Sequence, residues 1–151
     1  MIWSILIGAK IEVKPEIPDV IKIAIVEDEE LQAQLIRKYV EKWAEEKNIK
    51  TIIESFHSGE SFNFSWCVDK SYDILLLDIQ MPGINGVELA RKIREKDWLI
   101  NIIFITAIPD YIGEGYEVEA INYLIKPIDK KNYMSVWTGP LKKHLKKKKY
   151  Y

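Results

Sequence analysis

Two patterns of apolar and polar positions alternate along the chain. Short runs rich in apolar and β-branched residues fall at 21–26, 51–56, 74–77, 101–106 and 122–125, and the one at 74–77 is apolar without a break. Between them apolar residues recur every three or four positions, as in Leu31, Leu35, Ile36, Tyr39, Val40 and Trp43, or Val87, Leu89, Ala90 and Ile93. The first pattern predicts strands covered on both faces, and the second predicts amphipathic helices. The first helix should run about four turns, with Glu29 and Glu30 in its first turn, where the helix dipole favours acids. Ser58 and Gly59 open a shorter helix through about Cys67. A polar, glycine-containing stretch at 110–119 reads as a short helix. A last helix should begin near Asp129, although Gly139-Pro140 ought to break or kink it.

Strand and helix thus alternate five times, which predicts an α/β fold with a parallel sheet and right-handed crossovers. A five-stranded doubly wound sheet of flavodoxin-like order, 2-1-3-4-5, accommodates the pattern, with its switch point between strands 1 and 3. The stretch at 72–91, YDILLLDIQMPGINGVELAR, is the centre of this plan. Its apolar run ends in Asp78, and Met81, Pro82, Gly83 and Asn85-Gly86 then crowd turn-forming residues ahead of a helix. A carboxylate there costs several kcal/mol if buried without a partner. Metal binding, phosphoryl acceptance and capping of the following helix are the three answers open to it.

The ends of the other strands bear on that choice. Strand 1 ends in Glu27-Asp28, strand 4 in Thr106 and strand 5 in Lys126, so these residues and Asp78 should converge on one edge of the sheet. Clustered carboxylates repel unless a hard cation sits among them, and oxygen ligands of this kind suit Mg²⁺. A nearby lysine and hydroxyl suit an anion with several oxygens, such as a phosphoryl group.

These residues, in this order, resemble the receiver domain of bacterial two-component response regulators, the CheY-like fold. The matching features are Glu27-Asp28, Asp78 after an apolar strand, the M-P-G-x-N-G-x-E segment, Thr106-Ala107 and Lys126-Pro127. Fifty residues separate Asp28 from Asp78, 28 separate Asp78 from Thr106, and 20 more lead to Lys126. The match covers about residues 21–138. It implies that Asp78 accepts a phosphoryl group from a sensor histidine kinase. It also implies that Mg²⁺ is held by Asp28, by Glu27 mainly through water, by Asp78 and by the backbone carbonyl of Gln80. Thr106 and Lys126 would hold phosphoryl oxygens, Tyr123 would be the aromatic switch residue, and the Lys126–Pro127 bond would be cis. A switched face of fourth helix, fifth strand and fifth helix, including Tyr111, Ile112, Tyr116 and Val118, would support a homodimer.

A narrower resemblance, in the run from Tyr111 and Tyr116 through Val118, Ala120 and Tyr123-Leu124 to Lys126-Pro127-Ile128, is to receivers attached to LytTR-type DNA-binding domains. It implies either a truncated or a stand-alone receiver, and the former is favoured. Two other readings compete. A phosphatase of the haloacid-dehalogenase kind also uses a strand-end Asp, but it wants a second Asp where this chain has Gln80. A degenerate receiver serving only as a binding module would lack a site residue, and none is missing.

Length and composition fill in the remainder. The 151 residues suffice for one domain, read as 20–138, with an extension at 1–19 and a basic helix end or linker at 139–151. The net charge is −1, of which Lys142, Lys143 and Lys146 to Lys149 carry +6, leaving about −7 elsewhere. That tail could attract DNA without reading its sequence. Residues 1–8 are apolar but too short to span a membrane, and they lack a basic start and a cleavage site. Residues 1–19 read as added or upstream sequence, or as a strand packing on the domain. Cys67 is the single cysteine, which fits a reducing cytoplasm. Its neighbours Phe62, Phe64 and Trp66 suggest that it packs in the core. His57 and His144 read as surface or loop residues, and Trp3, Trp43, Trp98 and Trp137 as packing or patch residues.

Overall fold

A computed structural model describes residues 20–107, 118–120, 122–129 and 131. The expectations for residues 1–19, for most of the helix at 110–119, for the last helix and for the basic tail lie outside the described residues. Five strands, β1 (Val20–Val26), β2 (Lys50–Phe56), β3 (Ile74–Asp78), β4 (Asn101–Thr106) and β5 (Asn122–Ile125), form one sheet of order β2-β1-β3-β4-β5. Every neighbouring pair is parallel. The topology is the one the apolar runs implied.

β3 and β4 are buried at every residue, so the unbroken apolar runs are strands covered on both sides. Successive side chains point to opposite faces. Ile23, Ile25, Leu76 and Ile105 accordingly join one core cluster, and Ala24, Val26, Leu77 and Phe104 join the other. Helix α1 (Glu30–Lys47) closes the first face with Ile36, Val40 and Trp43. Helices α2 (Gly59–Val68) and α3 (Gly86–Arg94) close the second, with Phe62, Trp66, Leu89 and Ile93. Each large side chain buried in this way contributes about 1.5–3 kcal/mol relative to exposure.

α1 is longer than its periodicity suggested, and Glu29 precedes it at the N-terminal boundary without a side-chain capping bond, leaving Glu30 in the first turn. The helix stops where Asn48 adopts a left-handed conformation (φ 54°), and the amides of Asn48 and Ile49 bond back to Glu45 and Ala44. Short-range turn chemistry, not the apolar stripe, sets that end.

α2 corrects the reading of Cys67 as a core residue. Phe62 and Trp66 are four apart and point inward, whereas Phe64 is 77% exposed, Val68 81%, and the Cys67 thiol is exposed. The helix is apolar on both sides, so composition alone did not separate its faces. Among the tryptophans, Trp43 and Trp66 are core residues and Trp98 lies on the surface.

Truncating the two faces of α2 should therefore have unequal effects. Phe62→Ala is expected to cost about 3–5 kcal/mol, and Phe64→Ala no more than about 0.5 kcal/mol, in urea unfolding. Equal midpoints for the two variants would contradict this assignment of faces.

Candidate functional site

Strand register carries the candidate residues to one edge. Val26 pairs with Leu77, which sets Glu27 beside Asp78 one residue further on. Asp78 pairs with Ile105, and Thr106 follows. Thr106 pairs with Ile125, and Lys126 follows. The Lys126 amide donates to the Thr106 carbonyl at 2.8 Å, and the Lys126–Pro127 peptide is cis, as the resemblance implied.

Carboxylate oxygens of Glu27, Asp28 and Asp78 lie within 4.8 Å of one another. Glu27 is fully buried and Asp78 nearly so, while Asp28 lies further out. Lys126 reaches in between: its Nζ is 3.2 Å from Glu27 Oε2, 3.4 Å from Oε1 and 3.6 Å from Asp78 Oδ1. The contact to Oε2 is an ion pair without hydrogen-bond geometry, and this buried oxygen has no hydrogen-bond partner among the described residues. With all three ionised, the carboxylates against one ammonium leave two negative charges in a partly desolvated space. At about 4 Å a pair of charges near a protein surface interacts by about 4 kcal/mol, so one lysine does not balance the group. A divalent cation with oxygen preference fits both the charge and the donors. Gln80, whose carbonyl the resemblance adds to that set, is exposed on the turn leaving β3.

The imbalance shows in the acidities. Burial, reinforced by the Glu27 charge and only partly offset by Lys126, pushes the Asp78 carboxyl up to about 7. Burial also raises Glu27. For Lys126, burial works against the ammonium, but the charges of Asp78 and Glu27 outweigh it and hold its pKa above the usual value.

Asp78 is not the cap of the following helix. That role belongs to Asn85, whose Oδ1 accepts from the Glu88 amide at 2.9 Å while its Nδ2 donates to Glu88 Oε1 at 2.7 Å. The helix begins so close to the strand end that a Cβ on Gly86 would collide with the Asp78 carbonyl and the Ile79 Cα. Thr106 is fully buried at the end of β4. Tyr123 is half-buried on β5, its ring stacked on Phe104 with centroids 5.7 Å apart. His57 is exposed, with its Nδ1 3.5 Å from Glu30 Oε2. Tyr111, Ile112, Tyr116 and His144 lie outside the described residues.

Two contacts had no sequence signal, because each joins residues 24 apart. The Glu60 carboxylate accepts from the Ile84 amide at 2.6 Å. Arg94, nearly buried, donates from Nε to the Val118 carbonyl at 2.6 Å and from a second nitrogen to the Asp97 carbonyl at 3.1 Å, tying the end of α3 to the chain that enters β5.

With acids, a hydroxyl and a lysine ending its strands, the sheet belongs to the class of doubly wound α/β domains that carry their site at the switch-point edge. The chain belongs to the response regulator receiver domain family, which matches residues 23–137. It is 34% identical over 115 residues to the sensory transduction protein LytT of Oceanobacillus iheyensis, covering 75% of this chain and 45% of that protein. It is 34% identical over 110 residues to the transcriptional regulatory protein BtsR of Escherichia coli, covering 72% of this chain and 43% of that one. The chain thus spans less than half the length of these two curated relatives. Among solved structures it is similar to the response regulatory domain of mrkE from Klebsiella pneumoniae, at 28% identity and a TM-score of 0.71, covering 87% of this chain and all of that one. The receiver domain of AraT from Geobacillus stearothermophilus gives 26% and 0.72, over 85% and 97%. No helix among the described residues is long and apolar enough to cross a membrane.

The raised Asp78 acidity has a direct consequence for stability. Unfolded, the carboxyl titrates near 3.8; folded, near 7, so the folded state holds the proton more tightly between these values. The stabilisation is complete below about pH 4 and lost as pH rises through about 7. Asp78→Asn should therefore be more stable than the parent at pH 8 without divalent cation, by at most about 4 kcal/mol and by less because Glu27 shares the proton. The advantage should vanish below pH 4. Thermal unfolding from pH 4 to 8 checks this, and a parent equal to the variant at pH 8 would contradict it.

Proposed function

We propose that this chain is a phosphoacceptor receiver, in which Asp78 takes a phosphoryl group from a sensor histidine kinase with the assistance of Mg²⁺. What carries the reading is the buried Asp78 carboxylate, clustered with Glu27 and Asp28 and faced by Lys126 at 3.6 Å. Asp28 and Asp78 would hold the cation directly, Glu27 mainly through water, and the Gln80 carbonyl would complete the protein ligands. When bound, the cation neutralises charge on the phosphoryl oxygens. One Asp78 carboxylate oxygen attacks phosphorus in line with the departing donor, and the P–O bond forms as the donor bond breaks. Lys126 pairs with a phosphoryl oxygen in exchange for its contact with Asp78, and the Thr106 hydroxyl donates to another.

The reading extends to the domain limits and partners. Residues 20–138 would form the receiver, with an extension at 1–19 and a basic connection at 139–151. The domain would act in the cytoplasm as a switch, not as an enzyme on other substrates. It would control an attached DNA-binding output domain, and the names of BtsR and LytT, a transcriptional regulator and a sensory transduction protein, support that proposal. Phosphorylation would draw Thr106 toward the new oxygens and let Tyr123 turn inward, reshaping the face of fourth helix, fifth strand and fifth helix for a homodimer. Contacts made only in the phosphorylated state are what can shift such an equilibrium.

Incubation with a small phosphodonor and Mg²⁺ should add one phosphoryl group to the intact mass. Asp78→Asn should abolish the gain, and Asp69→Asn and Asp97→Asn should keep it. Labelling of the Asp78→Asn protein at the parental level would refute the assignment.

Beryllofluoride with Mg²⁺ should raise the sedimenting mass toward a dimer, and the same samples should shift specific and random DNA duplexes alike. An unchanged mass at high concentration would remove the dimer from the proposal, and preference for one duplex would remove the claim that this chain does not read sequence.

A further inference from the structure

The turn between β3 and α3 leaves the sheet at Asp78 and must be held still if the strand end is to offer its oxygens in a fixed arrangement. Its two ends are anchored. The Ile79 amide bonds to the Ile105 carbonyl at 3.2 Å, the Gly86 amide returns to the Ile79 carbonyl at 2.9 Å, and Met81 is buried in the core. The middle of the turn, Pro82 and Gly83, is exposed. There a side chain from a different element meets the backbone. Glu60, in the first turn of α2, accepts a 2.6 Å hydrogen bond from the Ile84 amide. That donor holds the Glu60 carboxyl below its ordinary pKa, as expected for an acceptor that is ionised and charge-assisted. Gly83 sits at φ +77°, and a Cβ there would lie 2.5 Å from Glu60 Oε1. The turn conformation and the carboxylate thus fit one space, and a side chain at 83 would both strain the backbone and displace the latch.

We propose that Glu60 is a positioning residue that latches the turn at 81–85 onto α2 and so presets the cation site at the end of β3. The inference rests on the reading of Glu27, Asp28 and Asp78 as a Mg²⁺ site. Glu60 itself does not touch that site; it acts through the Ile84 amide and the turn that carries Gln80 away from Asp78. Groups that orient ligands without binding the metal commonly govern affinity by one or two orders of magnitude, and a latch one step further out governs less.

The test compares three variants by Mg²⁺ calorimetry and by hydrogen exchange at the Ile84 amide. Glu60→Ala should weaken Mg²⁺ binding about three- to tenfold and speed Ile84 exchange. Glu60→Gln, which loses the charge but keeps a weaker acceptor, should recover part of both. Ser58→Ala removes the cap of α2, a 3.1 Å bond from the Ser61 amide to Ser58 Oγ, and should lower thermal stability while leaving Mg²⁺ affinity near the parent's. Undiminished affinity in Glu60→Ala would overturn the proposal. So would Glu60→Gln binding as weakly as Glu60→Ala, since charge alone would then explain the loss. Equal weakening in Ser58→Ala would also overturn it, since general loosening of α2 would suffice. A parent that does not bind Mg²⁺ would bring down the cation site and this latch together, whereas the other three results leave the site standing.

Discussion

The register of five parallel strands is the constraint from which the site follows. Parallel strands of one sheet end on the same side, and the pairing of Val26 with Leu77, Asp78 with Ile105 and Thr106 with Ile125 sets how far each projects. A slip of one residue in any pair would turn the strand's apolar residues to the wrong face. β3 and β4 are buried on both faces, so a slip there would expose nothing; what forbids it is that each core cluster would receive the side chains fitted to the other. Hydrophobic packing is thus what aligns the acids, the hydroxyl and the lysine, and no attraction among those side chains is needed to do it.

Electrostatics runs against that alignment. Three carboxylates meet one lysine, Glu27 Oε2 has no hydrogen-bond partner among the described residues, and the pKa of Asp78 is displaced upward by burial and by Glu27. The domain carries this unfavourable arrangement because the core elsewhere is well covered on both faces. Excess negative charge at a strand end is also the kind of field that would favour a cation there.

Contacts across the elements then shape the surroundings. Gly86 allows α3 to start against the end of β3, Asn85 caps that helix and so leaves Asp78 uncommitted, and Arg94 ties the far end of α3 to the chain before β5. One short helix therefore touches the site at its beginning and the approach to Tyr123 at its end. Tyr123 stacks on Phe104, which pairs in register with it on the neighbouring strand.

Much of this was legible along the chain. Apolar runs and three-to-four periodicity are local signals, and they located the five strands and the first three helices, because burial on two faces or on one leaves different spacing; the order 2-1-3-4-5 was one that the alternation accommodated. The acids, hydroxyl and lysine could be assigned to one edge for the same reason: each immediately follows an apolar run or ends one. The end of α1 at Asn48 and the outward face of α2, with Phe64, Cys67 and Val68 exposed, were not legible from apolar spacing. A helix with large apolar residues on both sides does not declare which side meets the sheet. Nor could the chain show that Lys126 stands between Glu27 and Asp78, that Glu60 meets the Ile84 amide, or that Arg94 meets the Val118 carbonyl. Those contacts join residues 24 to 99 apart, and only the packing of one element on another brings their atoms within bonding distance.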